Sequence, residues 1–363
     1  MTGVRHLYVH LPFCAHRCGY CDFVTVVGRK GEHAGYVDSV LAELELERGR
    51  LAGAVDTVFL GGGTPTFTEW DALARLLEAL PRAAEVTAEA NPETVTSEMA
   101  ALLAQNGVNR VSLGAQTFNT ALLDVLERRA DPDAVRRAFH RLRDAGIANI
   151  SLDLVYGIPG QRPADLERDL DAAIALEPEH ISCYELEAKP GTRFTHAHAD
   201  ELRQQAESME GYFERVVERL RAAGFRWYET ANFCRPGRES RHNLGYWEGR
   251  DYLGLGIGAV STVAAARWRN TPRLAAYARA LAAGEPPPRE VEPLDVETKA
   301  KERLMLALRL DRAVDLDGVP GVWDADGAAR LEGLGLAVRV GNSLRLTPRG
   351  RLLGGAATVE LLA

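Results

Sequence analysis

Residues 8–23 read YVHLPFCAHRCGYCDF, placing Cys14, Cys18 and Cys21 in a C-x3-C-x2-C spacing directly after a short strand-like run. Three thiols so close in sequence reach one inorganic centre only if the backbone loops round it, and Gly19 eases that loop. An iron–sulfur cubane normally takes four thiolates. Three local ones leave one iron open to an exogenous ligand. The competing reading is a structural zinc site completed by His10 or His16, which needs four closed ligands. Zinc ligands usually come as two short knuckles far apart, and no second C-x2-C or H-x3-H follows here. A c-type haem attachment is excluded, because Asp22 rather than His follows Cys21.

Outward from this loop, the first two-thirds of the chain alternates β-rich runs with helix-patterned segments. Strands are expected over 6–11, 57–60, 86–90, 110–113, 149–154 and 180–186, and helices over 36–50, 71–80, 97–106, 133–145 and 163–176. Gly107 and Gly146 supply helix stops. Repeated strand–helix units predict an α/β fold, a partial or complete TIM-type barrel of parallel strands with its chemistry at the strands' C-terminal ends.

The polar residues fall at that edge. Gly61-Gly62-Gly63-Thr64-Pro65 follows the second strand; it is neither a Walker loop nor a dinucleotide fingerprint. Glu89 closes the third strand in EANPET, Gln116 follows the fourth in SLGAQTF, and Asp153 lies in the fifth in SLDLVYGIPG. Each alone could cap a turn. Several strands delivering polar groups to one barrel edge is the pattern of a binding site.

The thiol loop resembles the cluster loop of the radical S-adenosylmethionine (SAM) superfamily, in which SAM occupies the open iron. With Tyr8, Tyr20, GGGTPT, EANPE, LGAQTFN and DLVYGIPGQ, the chain resembles, over nearly its whole length, the oxygen-independent coproporphyrinogen III oxidase-like family. The resemblance implies a [4Fe-4S] cluster on Cys14, Cys18 and Cys21. It implies that Tyr8 and Tyr20 line the SAM pocket and that Gly62, Gly63 and Thr64 hold the amino group. Glu89 and Arg128 would contact the methionine end, with Arg128 on a helix-like stretch twelve residues after Gln116. Gln116 and Asp153 would bind ribose hydroxyls, and Val260 in GAVST would support the adenine.

Two features separate members of this family. The oxidase carries a fourth cysteine two residues beyond the third, where this chain has Phe23, and a longer N-terminal segment shaping its substrate pocket. The CDF ending resembles HemW-type haem chaperones. Residues 241–247, RHNLGYW, match the H-N-x-x-Y-W motif associated with haem in those proteins. A neutral imidazole is a standard axial ligand of haem iron, so His242 is the expected ligand and Tyr246 the second candidate.

A net charge of −8 gives no basic footprint for nucleic acid. No run approaches the ~18 apolar residues of a membrane span, and Cys14 comes too early for a signal peptide to precede it, so a cytoplasmic protein is expected. Cys183 and Cys234 read as small buried hydrophobes rather than a fourth cluster ligand. GLGIGA at 254–259 fits G-x-G-x-x-A, but no acidic residue lies about twenty positions on, so the nicotinamide reading is rejected in favour of a strand or turn.

Pro286-Pro287-Pro288 marks a linker between a barrel domain, 1–285, and a smaller α+β domain, 289–363. Helices at 296–310 and 324–334 and a hairpin about Gly341-Asn342 resemble the family's winged-helix-like C-terminal domain. With 11 basic and 12 acidic residues from Arg289 onward, DNA binding is not expected.

The leading expectation is a haem chaperone carrying a [4Fe-4S] cluster and SAM. Implied partners are haem, haem-requiring client proteins (membrane-associated ones included) and a reductant protein; homodimerisation is open. The alternative is a radical-SAM oxidoreductase decarboxylating a tetrapyrrole side chain. A zinc-stapled interaction module would leave Glu89, Gln116 and Asp153 without a role.

Overall fold

The computed structural model describes residues 3–29, 31–189 and 192–363. Its centre is a run of parallel strands, β1 (His6–Leu11), β2 (Val55–Gly62), β3 (Ala83–Ala90), β4 (Arg110–Gln116), β5 (Ile150–Tyr156) and β6 (His180–Glu185), hydrogen-bonded in that order. Past β6, two antiparallel strands, β7 (Arg226–Trp227) and β8 (Asn232–Cys234), close one side, with β8 next to β6. Beyond β1 comes a seventh parallel strand, β9 (Tyr252–Leu255), then antiparallel β10 (Val260–Val263), β11 (Ala266–Asn270) and β12 (Arg289–Pro293). This is a twelve-stranded, mostly parallel sheet with crossover helices, an open TIM-type arrangement. The glycines of 254–259 form the end of β9 and the turn after it.

Crossover helices form where apolar residues recur at helical spacing. The helix Pro132–Asp144 buries Val135, Ala138, Phe139 and Leu142 against the sheet. Asp131 caps it by accepting from the Ala134 amide, Pro132 fills a position needing no amide donor, and Arg141 and Arg143 occupy its last turn. The strands' helix-facing side is aliphatic, with Leu7, Val9, Val58, Leu60, Val111 and Leu152 all fully buried. The other side is polar and also buried: Thr57, Glu85, Thr87, Arg110, Ser151 and His180 are at most 5 % exposed. Many of these groups bond to one another, as in Ser151 Oγ to His180 Nδ1 at 2.8 Å and His180 Nε2 to Tyr228 Oη at 2.9 Å, whereas Thr87 Oγ1 and Arg110 Nε have no partner among the described residues.

A second apolar cluster, with Leu304, Leu316, Leu331, Leu344 and Leu361 fully buried, forms the core of a smaller unit. The helix Val296–Ala307, capped by Asp295, leads into it, and Ala337–Val340 and Ser343–Leu346 form a hairpin turning at Gly341, whose φ is 60°. Arg226 grips Asp311 with two nitrogens at 2.7 and 2.9 Å, and Arg351 lies over the Trp227 ring at 3.7 Å, fastening this unit to the barrel side. Among the described residues, no helix is long and apolar enough to cross a membrane.

Candidate functional site

The thiol loop leaves the C-terminal end of β1. Phe13–Cys14 pairs in parallel with Val26–Val27, and the Val26 amide donates to Pro12 O at 2.8 Å, closing the loop. His10 pins it further: Nε2 lies 2.8 Å from Val24 O and Nδ1 3.0 Å from Tyr8 Oη. Both ring nitrogens are engaged and burial lowers its pKa to about 4, so His10 is a structural clamp rather than a free metal ligand. Gly19 sits in a tight spot: a Cβ there would meet the Glu127 and Phe194 side chains at 3.1 Å. Cys183 and Cys234 are 1 % and 0 % exposed, as expected of small core residues.

The thiols face the strand-end residues. Cys14 Sγ is 3.5 Å from Thr64 Oγ1, which accepts from Asn91 Nδ2 at 2.8 Å. Cys18 Sγ is 3.7 Å from Arg128 Nη1, whose other nitrogen, Nη2, reaches Asn91 Oδ1 at 2.8 Å and Gly114 O at 3.2 Å. Arg128 does not sit on a helix. The helix Thr120–Val125 ends before it, and Glu127 at φ 55° turns the chain, so the guanidinium reaches the barrel mouth from a loop. It is bound by neutral acceptors there, and its buried Nε has no partner among the described residues. A fork so placed suits a carboxylate. Burial pushes the Cys14 and Cys21 thiols up, while Thr64 opposes this at Cys14 and the Phe23 backbone at Cys21.

In the glycine turn the missing side chains make room for protein. A Cβ on Gly62 (φ 108°) would strike the His10 ring at 2.5 Å, and one on Gly63 the Pro12 backbone at 2.5 Å. Their close approach is to β1. A backbone donor of the turn, Gly62 N–H, goes to Glu89 Oε2 at 3.0 Å. Burial, reinforced by the nearby Asp153 charge, raises Glu89 to about 7. Gln116 (φ 63°) follows a bulge opposite β5, and its Nε2 fills the space that a Cβ on Gly114 would take, 2.8 Å away. Asp153 accepts from Ser112 Oγ at 2.7 and 3.0 Å and from Ser151 Oγ at 3.0 Å. Tyr20 packs edge-on against Phe194. Val260, on β10, places its carbonyl where a Cβ on Gly254 would fall, so its contact is with β9.

His242 lies at the opposite ends of the strands. It is 1 % exposed, with Nδ1 2.8 Å from Thr57 Oγ1 and Nε2 2.8 Å from Tyr246 Oη. Its helix, Arg241–Trp247, is capped by Ser240 and held by Glu85, which accepts from the Arg241 and His242 amides at 3.0 Å. Burial lowers the imidazole to about 3, so it is neutral at pH 7. Tyr246 and Trp247 line a cleft of about 1080 Å³ between this helix and the smaller unit.

Sequence reasoning missed two residues. Phe59 stacks with Tyr8 at 6.2 Å and with His242 at 5.1 Å, joining the two ends of the polar face. Asn91 bridges Thr64 and Arg128; EANPE contains it, whereas an aromatic in a buried strand gives no comparable signal.

Two family models match: the radical SAM superfamily over residues 8–173 and the HemN C-terminal domain over residues 294–353. Heme chaperone HemW of Mycobacterium tuberculosis is 37 % identical over 98 % of this chain and 94 % of its own length. Heme chaperone HemW of Bacillus subtilis is 33 % identical over 97 % of each chain. Among solved structures, the coproporphyrinogen III oxidase HemN from Escherichia coli superimposes with a TM-score of 0.82 over 99 % of this chain and 90 % of that one, at 23 % identity. The thiol loop, the strand-end residues and the Arg241–Trp247 helix all lie within the HemW alignments' reach, and the chain belongs to the HemW family of the radical SAM superfamily.

Proposed function

We propose that this protein is a haem carrier, binding haem at the Arg241–Trp247 helix and passing it to haem-requiring proteins. One observation carries the reading: one short helix lines a cleft large enough for a macrocycle with Tyr246 and Trp247, and holds a buried neutral imidazole, His242, directly behind the Tyr246 hydroxyl. Family membership supports it, since relatives matched over nearly their whole length are named heme chaperones.

In this reading Cys14, Cys18 and Cys21 hold a [4Fe-4S] cluster and the strand-end residues hold SAM; such a cluster supplies one-electron reduction to a sulfonium. The donor set fits. Arg128 offers a carboxylate a guanidinium that has only uncharged hydrogen-bond partners among the described residues, Glu89 offers a buried carboxyl to an ammonium, and Gln116 and Asp153 offer polar groups to hydroxyls. A different use, decarboxylation of a porphyrinogen, lacks a comparable supporting feature: Phe23, 64 % exposed, stands where the oxidase carries its fourth cysteine.

For His242 to ligate iron, the Tyr246 hydroxyl must swing off Nε2. Losing one such bond costs about 0.5–1.5 kcal/mol, small beside an iron–nitrogen bond. The test is a double dissociation on anaerobically reconstituted protein. His242→Ala should lose the haem Soret shift and keep its iron and sulfide; Cys14→Ala should lose iron and sulfide and keep the Soret shift. A His242→Ala protein with an unchanged Soret band overturns the assignment.

A further inference from the structure

We infer that the cleft between the Arg241–Trp247 helix and the smaller C-terminal unit is the haem dock, and that Lys299 and Arg303 hold the two propionates. The inference rests on the haem-carrier reading and adds the second wall of the site, which the motif alone does not supply.

Tyr246 and Trp247 form one wall. The other is the helix Val296–Ala307 with the segment around Val322, so a ligand in the cleft touches both units at once. At about 1080 Å³ the space slightly exceeds the ~300–1,000 Å³ typical of small-molecule sites. Leu294, Leu306 and Val322 give it an apolar floor.

Charge decides the occupant. Of the cations lining the cleft, Arg267 is tied to Glu302 at 2.6 Å and Arg250 to Glu248 at 2.6 Å. Lys299 and Arg303 form no ion pair among the described residues. They stand four residues apart on one helix, hence on one face. Lys299 donates to the Ala264 carbonyl, which orients it without neutralising it. The lining carboxylates Glu248, Glu302 and Glu297 are already paired, with Arg250, Arg267 and Lys301 at 2.6, 2.6 and 2.8 Å, so Lys299 and Arg303, one helical turn apart in an apolar slot with aromatic walls, match a flat dicarboxylate. They do not match a neutral lipid.

The experiment compares haem with its dimethyl ester, whose propionates carry no charge, by anaerobic Soret titration of the full chain. Lys299→Gln/Arg303→Gln should weaken haem about tenfold, the sum of two partly exposed ion pairs, and leave the ester unchanged. Lys299→Arg/Arg303→Lys should restore haem affinity. Wild-type binding that the Gln pair leaves intact places haem elsewhere and overturns the dock while sparing the carrier reading. Equal weakening of haem and ester makes the two side chains structural and overturns the propionate assignment. A wild-type protein with no Soret response removes the carrier reading and the dock together.

Discussion

Glu89 is a carboxyl whose burial changes its chemistry. Its carboxyl accepts from the Gly62 amide, and with burial and Asp153 raising it to about 7, much of it is protonated near neutrality. A ligand ammonium beside it favours the carboxylate, so binding below pH 7 must expel a proton. SAM affinity should therefore rise as pH rises, by roughly tenfold between pH 6 and 8, and Glu89→Gln should flatten that profile. A SAM titration by calorimetry at the two pH values checks this; unchanged affinity removes Glu89 from the site. Tyr246 gives the second prediction at this scale. Its hydroxyl occupies His242 Nε2 at 2.8 Å, so Tyr246→Phe frees the ligand and should tighten haem roughly threefold to tenfold, the worth of one neutral hydrogen bond. Loss of the Soret shift in that variant would instead make the phenol the ligand.

At the scale of elements, the glycine turn couples β2 to the thiol loop. Gly62 has a φ of 108°, and a Cβ there would drive into the His10 ring, which holds the loop's return at Val24. Gly62→Ala should cost about 1–3 kcal/mol from backbone conformation alone. It should also lose iron during reconstitution, because displacing His10 opens the loop; a variant with normal iron content and melting temperature contradicts this. The cysteine spacing, the strand–helix alternation and the strand-end Glu89, Gln116 and Asp153 were legible in the sequence because local chemistry and periodicity specify them. Three features were not. Phe59 looks like any core aromatic. Arg128 follows a helical pattern whose end is set by Glu127 in a left-handed conformation, a choice glycine would have advertised. The role of the triple glycine was only half visible: its proximity is to His10 and Pro12, and that depends on β1 lying beside β2.

For the whole molecule, the sheet separates two groups of polar side chains. The cysteine loop, Thr64, Glu89 and Arg128 gather at the strands' C-terminal ends, whereas Thr57, Glu85 and His242 sit towards their N-terminal ends. Phe59 lies between, in contact with Tyr8 on one side and His242 on the other. A fold shared with HemN at a TM-score of 0.82 does not decide what either end acts on. We propose that this chain carries a tetrapyrrole rather than transforming one. The most direct test offers anaerobically reconstituted protein, with SAM and reductant, haem in one vessel and coproporphyrinogen III in another. A carrier should give a Soret shift with haem, transfer of that haem to an apo-haemoprotein, and no decarboxylated product from the porphyrinogen. Decarboxylated porphyrinogen formed with consumption of SAM would contradict it.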